Sequence, residues 1–348
     1  MICRDQRVMS RIILIIVGAT AAFAANSERF EKGLKLYRSG DCAAALMEFD
    51  ASETSGEQAP ERPFYYGVCL TKQGDWAKGE KQLASYANTH ETEASAWYWL
   101  AQAQLYQKHF EEARQSIARS TALDSKSADG FRTLGEIELE RKDYDAAFRA
   151  WLTANKLNPL DPRTAYYLGR LFFEADIFNE AAAWFRETLK LAPDHYAAMT
   201  YLAMSAERLN LDSTAVDLYR AAIRESKKQN KPYPWAYVNL AKLLRQSGKE
   251  QEAFALLVES EKLCPEAHGL TVLGQMLAAA NQNDKAEAML RRAIAMNASI
   301  PDAHYRLALL LRTSGRTAEA QAEMKSFQEA KQAEERNKVK INAVRKDG

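Results

Sequence analysis

Apolar residues recur along this chain at i, i+3 and i+4 over successive short stretches, the spacing of helices that each bury one face. The pattern is clearest in TAYYLGRLFFEADIFNEAAAWFRETLKLAP, Thr164 to Pro193. Two helices fit inside it, and the small residues Gly169 and Ala181 fall where those helices have to approach closely. Neither helix can cover its stripe alone, so the unit requires neighbours.

The sequence supplies them. From Gly169, steps of 34 residues backward land on Gly135, Ala101, Gly67 and Gly33. Forward steps land on Ala203, then Ala241 after 38, Gly274 after 33 and Ala308 after 34. Ala181 repeats as Ala147, Ala113, Gly79 and Ala45, and forward as Ala215, Ala253, Ala286 and Ala320. Any single alanine means little, but nine units carry a small residue at both positions. Gly40-Asp41 and Gly74-Asp75 set a helix-ending glycine before a helix-capping aspartate. Pro159, Pro193 and Pro265 close second helices.

Two stretches depart from the period. In KKQNKPYPW, residues 227–235, Pro232 and Pro234 rule out a continuous helix and predict a linker where the array bends. After the ninth unit, residues 331–348 read KQAEERNKVKINAVRKDG, a charged segment expected to cap the array as a solvated helix. Within it Glu334 and Lys338 are spaced for an i, i+4 pair.

The period near 34, with a partial W-x₂-L-G-x₂-Y, A-x₃-F and P signature, resembles the tetratricopeptide repeat. Trp97, Leu100, Ala101 and Ala113 carry it in the third unit; Phe131, Leu134, Gly135, Ala147, Trp151 and Pro159 carry it in the fourth. Tyr237, Leu240, Ala241, Leu244, Ala253 and Pro265 carry it in the seventh. The resemblance implies an all-α fold: a right-handed α-solenoid of about nine helix-turn-helix repeats with a C-terminal capping helix. The organisation expected is a secretory signal at 1–24, six repeats at 25–226, the linker at 227–235, three repeats at 236–330 and the capping segment at 331–348.

The resemblance also implies a concave groove, lined by the first helix of each repeat, that holds a protein or peptide. Positions −6, −3, +1 and +4 from the small marker commonly face that groove in the family. Mapped onto this chain they give Phe64, Tyr98, Arg132, Tyr166, Arg170 and Phe173, then Met204, Lys242, Arg245, Tyr305 and Arg312. The first half is aromatic and the second basic, and aromatic and arginine side chains are favoured interface anchors. A chaperone-tail clamp of Lys and Asn is not assembled, because Phe30 and Leu34 stand at its first-unit positions and only Asn239 and Lys242 form a fragment of it.

Composition adds limits. The 348 residues are 47% hydrophobic and 27% charged, and the formal net charge of +1 argues against broad attraction to nucleic acid. Arg4, Arg7 and Arg11 precede an uncharged apolar run, Ile12 to Ala24, ending in Ala22-Phe23-Ala24. That is the form of a secretory signal cleaved after about Ala24. As a membrane anchor the run is short of the roughly 20 apolar residues that span a bilayer. Cleavage takes Lys+Arg from 47 to 44 and Asp+Glu from 46 to 45, leaving a net charge of −1. Cys3 leaves with the signal, and Cys42, Cys69 and Cys264 remain, none in CxxC or Cys/His metal spacing. Cys42 and Cys69 lie in adjacent repeats; they are either the two halves of a bridge or buried small residues.

Catalytic motifs are missing. The sequence has no HExxH, GxSxG or GxxxxGK[ST], and its five histidines, His90, His109, His195, His268 and His304, are scattered without ligand spacing. The expectation is a non-enzymatic exported scaffold without cofactor, metal, nucleic-acid partner or retained membrane span. It would bind protein or peptide partners, in a bacterium within the periplasm, where similar arrays serve envelope assembly or polysaccharide export. The alternative is a regulatory or targeting subunit of a glycosyltransferase or protease carried on another chain.

Overall fold

The computed structural model describes residues 28–52 and 59–337. The basic start and apolar run at 4–24 lie outside them, as do residues 338–348, including Lys338. Every regular element among the described residues is a helix, eighteen in all. The chain divides into two compact units, Met1–Asn158 and Pro159–Gly348.

The first unit holds four repeats. They are α1 (28–38) with α2 (Cys42–Ala51), α3 (Arg62–Gln73) with α4 (Trp76–Thr89), α5 (Ala94–Tyr106) with α6 (Phe110–Leu123), and α7 (Ala128–Glu140) with α8 (Tyr144–Leu157). The second holds five: α9 (Pro162–Glu174) with α10 (Phe178–Leu191), α11 (Tyr196–Arg208) with α12 (Asp212–Lys228), α13 (Pro234–Gln246) with α14 (Glu250–Leu263), α15 (Ala267–Ala279) with α16 (Asn283–Met296), and α17 (Pro301–Thr313) with α18 (Thr317–Asn337). The two helices of each repeat pack on one another, and within a unit each second helix packs on the first helix of the next repeat. The first helices also meet in succession, α3 with α5 and α7, and α9 with α11, α13, α15 and α17. One face of each unit is therefore built from first helices alone.

The small markers sit where sequence placed them, and the structure says why. A Cβ added at Gly169 would lie 2.7 Å from the ring of Phe185, and one at Gly33 would lie 2.5 Å from the ring of Phe49. Each large residue stands 16 positions after its glycine, on the second helix, and fills the space the missing side chain leaves. Ala45, Ala113, Ala147, Ala181 and Ala215 are fully buried on the other side of that contact.

The turn inside each repeat is made the same way nine times. Gly40, Gly74, Lys108, Lys142, Asp176, Asn210, Gly248, Asn281 and Gly315 all hold positive φ, between 60° and 88°. In each case the following amide reaches the carbonyl five residues back, as Asp41 does to Leu36 at 3.0 Å, Ile177 to Phe172 at 2.9 Å and Arg316 to Leu311 at 2.9 Å. This pattern satisfies carbonyls that a helix end otherwise leaves open. Asp41, Asp75 and Asp143 then accept the first amides of the second helix, from Ala44, Lys78 and Ala146.

The expected linker at 227–235 is smaller than its sequence suggested. Lys227 and Lys228 close α12, which at 17 residues is longer than the 14 of α10, and Pro234 opens α13 in the first-turn position that proline tolerates. Asn230, at φ 54°, repeats the left-handed stop used inside the repeats, and the amide of Lys231 reaches Ser226 at 2.8 Å. A single buried cluster runs past this point from Ala203 through Tyr219, Tyr237 and Leu257 to Leu311 and Ala320. The boundary between compact units falls instead after Asn158, between the fourth and fifth repeats. The start of the expected capping segment, residue 331, falls within α18, which runs on to Asn337.

Candidate protein-binding site

In the second unit the first-helix face carries an aromatic cluster centred on one arginine. Tyr166 and Arg170 are one helical turn apart on α9, and Tyr201 comes from α11. The Arg170 guanidinium carbon lies 5.9 Å from the Tyr166 ring centre and 5.7 Å from that of Tyr201. Tyr201 stands edge-on to Tyr166 at 5.9 Å and to Phe173 at 5.6 Å, while His195 packs on Tyr166 at 4.8 Å. Tyr233, just before α13, is close enough to feel the Arg170 charge, and its ring meets Tyr196 at 5.4 Å.

The charge of Arg170 is only loosely balanced, by Glu174 one turn further along α9, which feels the guanidinium electrostatically without closing an ion pair. The arginine makes no ion pair or hydrogen bond with another described residue, and its Nε is buried with no hydrogen-bond partner. Burial raises the Tyr166 phenol well above its ordinary range and pushes Tyr233 up to about 12, with Arg170 pulling the other way. These tyrosines are thus neutral hydroxyls around a fixed cation. Two further buried donors on α13, Asn239 Nδ2 and Arg245 Nε, also lack a hydrogen-bond partner. Arg245 is partly occupied: Nη1 donates to Gln275 Oε1 at 3.3 Å, and Nε stands 3.6 Å from Glu250. A buried donor without an acceptor is costly, and this face concentrates three of them, Arg170 Nε, Asn239 Nδ2 and Arg245 Nε.

The first unit shows a smaller version on the same kind of face. Lys72 Nζ lies 5.4 Å from the ring centre of Tyr37 and 5.2 Å from that of Trp99, so residues of α1, α3 and α5 meet at one cation. Tyr37 also stands edge-on to Tyr65 at 5.0 Å.

The structure sorts the residues mapped from sequence. Tyr166, Arg170 and Phe173 come together. Tyr98 is half-buried, its hydroxyl accepting from Gln102 at 3.2 Å. Lys242 and Arg312 are exposed, and neither joins the tyrosine cluster. Phe64 and Arg132 are corrections. Phe64 is 8% exposed and packs against Tyr65 and Tyr86, so it belongs to the core of the second repeat. Arg132 is 4% exposed, its guanidinium already paired with Asp129 and Glu136 on its own helix. Tyr201, Tyr233, Tyr37 and Lys72 were not among the mapped residues. A signal for part of this set was present: two positions before the marker, the sequence has Tyr65, Trp99, Tyr167 and Tyr201 in register. Among the described residues no group of His, Cys, Asp and Glu could hold a metal ion, and no helix is long and apolar enough to cross a membrane.

Comparison with known proteins agrees with this architecture. The tetratricopeptide-repeat family profile matches residues 72–128, 98–155, 132–195, 178–233 and 271–334. The solved structure of the APC/C hetero-tetramer Cut9-Hcn1 is similar over 77% of this chain and 52% of that one, at 17% identity and a TM-score of 0.61. A tetratricopeptide repeat protein from Parabacteroides merdae is similar over 73% of this chain and 100% of its own, also at 17% identity, with a TM-score of 0.59. The RNA polymerase-associated protein CTR9 of Caenorhabditis elegans is 23% identical over 283 residues, 73% of this chain but only 24% of that protein's length. At these identities the likeness shows the fold.

Proposed function

Because this chain belongs to the tetratricopeptide-repeat family, we propose that it is a non-enzymatic scaffold whose first-helix face holds a protein segment. The observation that carries this reading is Arg170, a cation set between Tyr166 and Tyr201 that closes no ion pair and whose buried Nε has no hydrogen-bond partner. A partner would supply the missing acceptor, a side-chain carboxylate or a main-chain carbonyl, while the tyrosine rings contribute apolar area and hydroxyls at low entropic cost. Lys72 between Tyr37 and Trp99 offers a second anchor of the same chemistry. The setting proposed is outside the cytoplasm, with the apolar run at 12–24 as the export signal and envelope assembly or polysaccharide export as the process served.

The test pairs capture with a fold control. Wild-type protein and the Tyr166→Ala/Arg170→Gln variant are used to capture partners from an envelope fraction, and helicity is followed by circular dichroism. Partners lost at unchanged helicity support the reading; partners retained by the variant overturn it. Export is checked separately by fractionating a C-terminally tagged chain and sequencing its N terminus, expected at Ala25. A cytoplasmic chain that still begins at Met1 refutes export without touching the binding face.

A further inference from the structure

The joint between the first and second repeats is built unlike the others. Cys42 opens α2 and Cys69 lies in α3, and their Sγ atoms stand 2.8 Å apart. Both are buried, at 3% and 0% exposure, in a cluster with Leu34, Ala45 and Phe49. In the repeat register, the same two positions are Trp76 and Ala103 at the next joint, Phe110 and Ile137 at the one after, and Phe178 and Ser205 in the second unit. Each of those joints has a large aromatic residue at the first position. Here both positions are cysteine, which neither position is at any other joint. No histidine or carboxylate joins them in a metal-binding group among the described residues.

We propose that Cys42 and Cys69 are the two halves of a disulfide that fastens the first repeat to the second. The bond forms between the two Sγ atoms as both S–H bonds are lost. The two electrons and two protons pass to a disulfide-class oxidant, oxidised glutathione or a protein disulfide. Exchange runs through one mixed disulfide and releases two reduced thiols. Burial raises the Cys69 thiol far above its ordinary value, which makes it a poor thiolate once the helices are packed. Exchange therefore belongs to folding, while α3 is docking on α2, and the finished bond is shielded from reductant afterwards. Pairing inside the array is unambiguous, because Cys264 lies in the other unit with its Sγ beside Ser260 Oγ at 3.8 Å. Among the described residues the first repeat packs against the second alone, so the bond reinforces the interface that holds it. The bond also fits an exported chain, for which the compartment is oxidising.

The experiment uses the full chain, refolded with reduced and oxidised glutathione, alkylated, and mapped by mass spectrometry without reduction. The expected result is one linked peptide pair containing Cys42 and Cys69, with Cys264 recovered alkylated. Recovery of Cys42 and Cys69 both alkylated overturns the proposal. A second measurement requires no variant to fold. Reductant present during refolding should lower the wild-type melting temperature by about 2–8 °C, while in Cys42→Ala/Cys69→Ala, if that variant folds, it should change nothing. Identical wild-type melting with and without reductant also overturns it.

Discussion

The indole Nε1 of Trp151 donates to the main-chain oxygen of Arg132 at 3.1 Å, and its ring occupies the space that a side chain at position 135 would fill. A helix interior ordinarily gains about 1 kcal/mol when glycine becomes alanine. Here the sign should reverse. Gly135→Ala forces the Trp151 ring outward, strains its hydrogen bond, and should cost about 1–3 kcal/mol. Urea unfolding measures it, and a stability equal to or above wild type would remove Trp151 from its assigned place.

The left-handed turns allow an opposite pair of substitutions. Lys142 holds φ 64° with an exposed side chain, whereas Gly74 holds φ 88° with nothing within 4 Å of where a Cβ would stand. Only backbone preference separates the two sites. Lys142→Gly should therefore stabilise by roughly 0.5–1 kcal/mol, and Gly74→Ala should destabilise by about 1 kcal/mol. Shifts of the same sign in both would show that side-chain contacts dominate these turns.

Glu138 joins two repeats of the first unit. It is 2% exposed, accepts from Arg114 Nε of α6 at 2.9 Å, and pairs with Arg141, which reaches on to Glu111 at 2.8 Å. Gln at 138 keeps the shape but sets a buried NH2 donor against one of the two guanidinium groups that the carboxylate served. With Arg114 half exposed and solvent screening its charge, the cost of Glu138→Gln should stay near 1–3 kcal/mol. A neutral outcome in thermal unfolding would show that water replaces the carboxylate without loss.

His195 should make the second unit acid-sensitive. Its Nδ1 accepts from the Ala198 amide at 3.1 Å and so caps α11, and burial lowers its pKa below the ordinary 6.5 despite the neighbouring Asp194. The folded state holds the ring neutral while the unfolded chain takes up a proton near 6.5. The unfolded state then binds more protons, so stability is full above 6.5 and falls as pH drops from there toward the lowered folded value. His195→Asn retains a capping acceptor and removes the titration. Its stability should be flatter across that window, and an unchanged slope would assign the effect to other groups.

The array was legible because a 34-residue period repeats a packing demand: Gly169 before Phe185, Gly135 before Trp151 and Gly33 before Phe49 all impose one register. The binding face was legible only in part. Family positions point to Arg132, but its own helix carries Asp129 and Glu136 at the spacing that closes an ion pair on it, so the arginine folds down rather than out. Phe64 was assigned by position too, and it turns inward because Tyr86 of α4 offers it a ring to pack on. Arg170 has Glu174 at the same i+4 spacing, yet closes no ion pair on it and lies beside Tyr201 of the next repeat, a property of two helices together that no single repeat displays. The prolines at 227–235 do separate two helices, α12 ending at Lys228 and α13 beginning at Pro234, but the sequence did not show that Pro234 itself would open the second one.

One turn geometry, used at every joint from Gly40 to Gly315, makes the repeats interchangeable parts. Removing the 34 residues from one left-handed stop to the next, as from Lys108 to Lys142, would rejoin the chain at an identical corner with both flanking helices in register. Length in such a protein is counted in whole units, and descent can add or drop a unit by unequal duplication without inventing a new corner. The added stop at Asn230 marks the one place where four residues exceed the period: three lengthen α12, one lengthens the connection after it, and the same left-handed corner ends the longer helix.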